Sequence, residues 1–236
     1  MKLHKLTKEQ NVPRKRRFYD DACGTAHGLE LIGERWALLI LRELMLGPKR
    51  FSDIRADLPG ISANVLTQRL EGLEANGLLI RRKLPPPSSA QVYELTQWGY
   101  EAEPVIKTLG RWAVRSPDHD PTMQISPVSL MLSFRTMIDA ERAKGVEARI
   151  GFRVGGECFL GQVFDGDIVI KRDPLDNAEA TFIGEPAMLA TAVYDRVPLR
   201  DLVKDGSLIV TGDWQVAERF LNLFTLPSKF DPPEPK

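Results

Sequence analysis

The stretch Pro59–Leu79, PGISANVLTQRLEGLEANGLL, decides how the first half of the chain is read. At 100° per residue, Ala63, Leu66, Leu70 and Leu73 share one apolar stripe, which predicts an amphipathic helix with those four inward. Ser62 stands where an N-cap belongs, after the helix-disfavouring Pro59-Gly60, and Asn76-Gly77 supplies a left-handed stop. The polar stripe is not the Lys/Glu mixture of an ordinary solvated face. Asn64, Thr67, Gln68 and Glu71 recur there at i, i+3, i+4 and i+7, a row of amides and a hydroxyl.

The flanking segments give that row a context. Upstream, GLELIGERWALLILRELMLGP (28–48) is apolar on nearly every face from Trp36 to Leu46, a buried core helix closed by Gly47-Pro48. KRFSDIRADLPG (49–60) predicts a short helix with Phe51, Ile54 and Leu58 inward, so two helices meet at a tight turn. Downstream, LLIRRKL and AQVYELT are strand-like and are separated by PPPSS, which cannot continue a ladder. This is the pattern of a winged helix-turn-helix, in which the second helix reads base edges with short directional donors and acceptors. Ser62, Asn64, Thr67, Gln68 and Arg69 are the candidate DNA-facing residues, with Arg81, Arg82 and Lys83 on the hairpin for phosphate or minor-groove contact. Strand alternation turns at least one of those three away. The basic run Arg14–Arg17 adds a candidate DNA-contacting arm.

Residues 23–115, from CGTAHGLELIGERWALLILREL through the quoted helix to YELTQWGYEAEPVIKTLGRW, resemble the HxlR family of winged-helix transcription regulators. The resemblance implies a homodimer on double-stranded DNA, contacting an inverted-repeat operator. It also implies dimer contacts through the helix Cys23–Ile32 and the helix after the wing, 96–114, where Trp98, Val105, Ile106, Leu109 and Trp112 are the inward candidates. Cys23 is a redox candidate on the same ground, since in relatives a thiol here can sense electrophiles; the alternative is a small buried hydrophobe. His27, one turn on, favours a thiolate, while Asp20 and Asp21 oppose it, and Gly24 stands where such relatives commonly have Pro.

The 236 residues are 43% hydrophobic and 27% charged, a soluble globular composition long enough for two domains. The net charge is zero, yet residues 1–115 carry 19 Lys and Arg against 13 Asp and Glu, and residues 116–236 the reverse. The basic half is the one suited to a polyanion. No run reaches 18 apolar residues and the N-terminus lacks a signal-peptide core, so neither membrane insertion nor export is expected and the cytoplasm is the predicted location. Two distant cysteines and three scattered histidines make neither a disulfide framework nor a metal set, and no cofactor is predicted.

The expected division is a basic arm (1–21), the winged helix (22–115), a Pro-rich linker (116–128), a second domain (129–226) and a tail (227–236). In that second domain SLMLSFRTMIDAERAK predicts a helix, then ARIGFRV, ECFLGQV and DIVIKR alternate as strands with Asp165-Gly166 as a hairpin turn. EATFIG and SLIVTG are further strands, EPAMLATAVYD a helix opened by Pro186, and DWQVAERFLNLF a helix capped by Asp213. The overall expectation is an α+β protein of two domains, the second an antiparallel sheet with helices. This succession, above all DGSLIVTGDWQVAERFLNLF, resembles the sterol carrier protein 2 (SCP2-like) domain, which implies an apolar tunnel for a fatty acid, sterol or hydrophobic aromatic ligand. Phe134, Met137, Phe152, Phe159, Phe182, Phe220 and Phe224 are the candidate lining, and the alternative for each is a packed core. No nucleophile elbow, phosphate loop or zinc-protease motif is present, so an enzyme is not expected. The functional expectation is a dimeric DNA-binding regulator modulated by an apolar ligand; the alternative is a lipid-binding or lipid-transfer protein whose winged helix mainly dimerises it.

Overall fold

The computed structural model describes residues 19–86 and 88–231, so the arm Arg14–Arg17 lies outside the described residues. The first half runs α1 (Gly24–Ile32), α2 (Ala37–Leu44), α3 (Phe51–Asp57), α4 (Ala63–Ala75), β1 (Leu79–Lys83), β2 (Gln91–Leu95), α5 (Gln97–Tyr100) and α6 (Glu103–Ala113). Helix α4 begins and ends where its caps dictate. The Ser62 hydroxyl accepts from the Val65 N–H at 3.3 Å, and Gly77 adopts φ +74, a left-handed value that Cβ-bearing residues resist. The N–H groups of Gly77 and Leu78 then reach back to the carbonyls of Glu74 and Leu73, both at 2.9 Å, a Schellman closure. Leu66, Leu70 and Leu73 are fully buried, so cutting any one to Ala costs about 2–5 kcal/mol. Ala63, in the first turn, is only half-buried.

Gly60, at φ +90, makes the turn between α3 and α4. Strands β1 and β2 pair antiparallel with Arg81 opposite Tyr93. Lys49 adds a third, one-residue strand by exchanging two backbone hydrogen bonds with Tyr93, at 3.1 and 2.9 Å.

The helix expected over 96–114 is two helices. Pro104 sits in the first turn of α6, where its missing N–H costs nothing, but a continuous helix would need that N–H and would press the ring on the preceding turn. The inward assignment of its apolar residues is also corrected. Only Ile106 packs on the core; Trp98, Val105, Leu109 and Trp112 are exposed, Trp112 to 70%.

The second half contains α7 (Pro127–Met137), α8 (Ala140–Ala143), β3 (Ala148–Val154), β4 (Glu157–Phe164), β5 (Asp167–Lys171), β6 (Ala180–Gly184), α9 (Pro186–Tyr194), α10 (Leu199–Lys204), β7 (Leu208–Gly212) and α11 (Trp214–Leu221). Helix α7 starts inside the expected linker because Ser126 caps it, accepting from the Ser129 N–H at 3.0 Å, with Pro127 in its first turn. The sheet order is β5-β4-β3-β6-β7. It is mixed, which corrects the antiparallel expectation: β6 lies parallel to β3. Alternation within each strand gives its faces but not its neighbour's direction. Residues 172–179 carry the chain back across the outer face of the sheet to start β6. Gly151 leaves room beneath that crossing, since a Cβ there would lie 2.5 Å from the Thr181 hydroxyl of β6 and 3.1 Å from Cβ of Ala178.

Helices α7, α9 and α11 cover the other face. The Phe134 ring packs against Phe152, Tyr194, Phe220 and Phe224 with centroids 4.9–6.3 Å apart, and Phe182 stacks on Phe152 at 6.2 Å. All seven residues expected to line a tunnel, Phe134, Met137, Phe152, Phe159, Phe182, Phe220 and Phe224, are 0–3% exposed. A long apolar molecule between these helices and the sheet would have to part the rings. One continuous hydrophobic cluster runs through both halves. Among the described residues no helix is long and apolar enough to cross a membrane.

Candidate nucleic-acid interface and the junction behind it

Burying Leu66, Leu70 and Leu73 forces the opposite stripe of α4 outward. Asn64, Thr67, Gln68 and Glu71 are all exposed on one face, beginning at the capped N-terminus. The Thr67 hydroxyl donates to the Ala63 carbonyl at 3.0 Å, which fixes its rotamer and leaves its lone pairs outward. Ser62 is occupied as the cap. Arg69 differs from its neighbours: its Nε donates to the Arg35 carbonyl at 3.1 Å and its guanidinium pairs with Glu34 at 2.9 Å, so here it anchors α4 to the turn before α2.

The hairpin stands beside this face with its cations partly engaged. Arg81 donates to Glu74 at 2.7 Å, tying the wing to the last turn of α4 and holding the Glu74 carboxyl below its usual range. Its guanidinium lies 6.0 Å from the Tyr93 ring centroid. Arg82 pairs with Glu94 across the hairpin. Lys83 is exposed and has no ion pair among the described residues. Of the three basic residues, Lys83 is therefore the one available to a phosphate without breaking an internal pair.

Cys23 is exposed at the N-cap of α1. The backbone N–H of Ala26, then the N–H and hydroxyl of Thr25, favour the thiolate and hold the thiol below its ordinary value. His27 is turned to Glu30, 3.3 Å away, so the helix start supplies the effect that the sequence reading assigned to the imidazole.

Two features escaped the sequence reading. Trp36, preceding α2, has φ +81, a left-handed conformation that costs a bulky residue about 1–3 kcal/mol and must be enforced by its surroundings. The other is an ionic junction between the halves. The Lys49 ammonium is 3% exposed and lies 3.4 Å from Glu43 of α2 and 3.0 Å from Glu157 of β4, and it also pairs with Asp57 of α3. Burial opposes its charge, but Glu43, Asp57 and Glu157 together outweigh that and raise its pKa above the lysine value. Glu43, with no exposed surface, also accepts from Arg42 at 2.7 and 2.9 Å and from the Ser126 hydroxyl at 2.8 Å. Arg172 pairs with Glu157 and lies 5.3 Å from the Phe159 ring centroid. A second seam joins α6 to α7 through Arg135–Glu103 at 2.9 Å and Arg111 donating to the Thr136 carbonyl at 3.0 Å. The second half is thus fastened to α2, α3, α6 and the strand residue that pairs with the wing.

Comparison with known proteins places the likeness in the first half. The model of the HxlR-like helix-turn-helix family matches residues 31–120. The HTH-type transcriptional regulator YodB of Bacillus subtilis is 40% identical over 83 residues, which are 35% of this chain and 74% of that protein. The uncharacterized HTH-type transcriptional regulator YvaP of the same organism is 35% identical over 85 residues, 36% of this chain and 79% of the relative. The solved structure of the reduced form of YodB shares 34% identity and covers 42% of this chain and 100% of that one, with a TM-score of 0.38.

Proposed function

This chain belongs to the HxlR-like helix-turn-helix family through residues 31–120, and from that premise we propose that it is a transcriptional regulator that grips duplex DNA as a homodimer. The observation that carries the proposal is the outward row Asn64, Thr67 and Gln68 on a capped helix, set beside a basic hairpin. Short amides and hydroxyls at the N-terminal half of a helix suit base edges in a major groove, and Lys83, Arg81 and Arg82 suit the flanking phosphates. Ser62 and Arg69 set the pitch of the helix more than they read bases. The dimer face is α6 with α1. None of the eleven residues of α6 is buried, and Val105, Leu109, Trp112 and Leu29 offer the apolar surface that a second copy would cover. Selection of bound duplexes from a random pool tests this reading. It should return an inverted repeat with half-sites about one or two turns apart, near 10 to 10.5 bp per turn. Recovery of a single isolated half-site would contradict it.

The second half forms the other part of the proposal. We read residues 129–226 as an SCP2-like accessory domain on the strength of the strand and helix succession ending in SLIVTGDWQVAERFLNLF. In this reading the packed rings of Phe134, Phe152, Phe220 and Phe224 part to admit an apolar ligand, of fatty acid, sterol or hydrophobic aromatic class, and that rearrangement alters DNA affinity. Support comes from the junction around Lys49 and Glu43, whose ion pairs join β4 of the sheet to α2, α3 and the strand residue beside the wing and so offer a physical link between the two parts. A lipid and aromatic panel that leaves both thermal stability and DNA affinity of the full chain unchanged would remove the ligand from the account.

A further inference from the structure

Since aromatic rings fill the interior of the second half, the open space of the molecule lies elsewhere. A cleft of about 420 Å³ separates the two halves, within the range of small-molecule sites. Its winged-helix wall is Trp36, Leu39, Leu58 and Pro59; the facing wall includes Pro127 at the start of α7 and Pro186 at the start of α9. An occupant would therefore touch the α3–α4 turn and two helices of the second half at once.

Two independent observations point to a ligand of defined chemistry. The first is Trp36. Its backbone is held left-handed, and the indole is delivered to the cleft with its edge 3.8 Å from where a Cβ on Gly60 would lie. Arg35 lies 5.3 Å from the ring centroid, which pins the indole further. Backbone strain of this kind persists only where the surroundings enforce it, and such residues cluster at ligand-holding sites. The second is the charge pattern. Arg42 and Asp57 both line the cleft, but Arg42 is spent on Glu43 and Asp57 on Lys49. The remaining charged group of the lining is Glu185, which is exposed at the mouth and has no ion pair among the described residues. An anion finds there no cation that is not already ion-paired, and it meets a carboxylate. Gln124 and Ser129 supply neutral donors and acceptors.

We propose that this cleft binds a small, uncharged aromatic molecule bearing a hydroxyl or similar neutral polar group, packed against Trp36 between the proline walls. Binding stands by itself; its regulatory meaning rests on the DNA-binding reading above, and the test separates the two.

The probe is 2-naphthol, titrated into the full-length protein by calorimetry, with 2-naphthoate as the anionic counterpart of similar shape. The expected result is saturable binding of naphthol, with naphthoate at least tenfold weaker because Glu185 repels it, and a narrower gap in Glu185→Gln. Ala187→Trp fills the cleft from an exposed position on α9 and should weaken naphthol at least tenfold. Trp36→Phe should weaken it less, since a smaller ring remains. No binding up to millimolar naphthol, equal binding of naphthoate, or an unchanged affinity in Ala187→Trp overturns the proposal. Loss through Met137→Trp, with Ala187→Trp silent, would place the ligand in the Phe core instead and equally overturn it. Failure to retain DNA in a parallel experiment leaves these titrations interpretable and counts against the regulator reading alone.

Discussion

Glu43→Gln is the substitution that weighs the junction between the halves. The side chain is fully buried, and its carboxylate receives Arg42 twice, Ser126 once and the Lys49 ammonium. The amide keeps the shape and one acceptor but removes the charge, leaving three cations, Arg42, Lys49 and Arg172, facing two carboxylates, Asp57 and Glu157. Removing one partner of a buried ion pair costs about 3–5 kcal/mol. Arg42 retains 21% exposure and can turn to water, so the expected loss lies at the low end, about 3 kcal/mol. That is a large part of the roughly 5–15 kcal/mol that stabilises a typical domain. Urea unfolding followed by tryptophan fluorescence reads it: the midpoint should fall, and the halves should begin to unfold in separate steps. A midpoint displaced by less than the equivalent of about 1 kcal/mol, the range of exposed pairs, would refute the argument that the junction holds the halves together.

Other outcomes follow from the same geometry. Lys49 has a folded-state pKa above its unfolded value, so its contribution is fully present below the unfolded value and is lost as pH rises through the folded one; Lys49→Met should flatten the alkaline limb of a stability-against-pH curve, and an unchanged limb would count against it. Trp112→Glu should shift sedimentation from dimer to monomer while the monomer's melting temperature barely moves, because the indole is exposed in the isolated chain; a persistent dimer places the contact elsewhere. Cys23, with its thiolate favoured by the start of α1, should react with iodoacetamide faster than Cys158, which is also exposed, at pH 7.5; equal rates would remove Cys23 as a redox candidate.

Elements set by neighbours in sequence are legible in the sequence itself. Helix α4 carries its own start in Ser62 and its own stop in Gly77, and Asp213 likewise caps α11, accepting from Gln215 and Val216. What depends on distant partners is not. Glu43 and Lys49 read as ordinary charges until the fold brings Ser126 and Glu157 to them. The parallel pairing of β6 with β3 is decided by where residues 172–179 cross, which strand alternation does not encode. The stripe of Val105, Leu109 and Trp112 has the period of a core helix, and period alone does not say whether the surface it packs on belongs to the same chain. The phenylalanines of the second half likewise have the period both of a filled interior and of a lined tunnel; the sequence does not contain the ring-to-ring distances, here 4.9–5.6 Å between Phe134, Phe220 and Phe224, that describe how they pack.

DNA affinity measured against salt tests the central claim most directly. With the selected duplex, the logarithm of the binding constant should fall linearly with the logarithm of salt concentration, with a slope of several units, because basic side chains displace counterions from phosphates. Lys83→Ala should lessen that slope by about one unit per copy on every sequence, whereas Gln68→Ala should leave the slope and lose about 1–3 kcal/mol on the selected site alone. A flat salt dependence, or equal and sequence-independent losses from the two substitutions, would contradict the assignment of the α4 face and the wing to DNA.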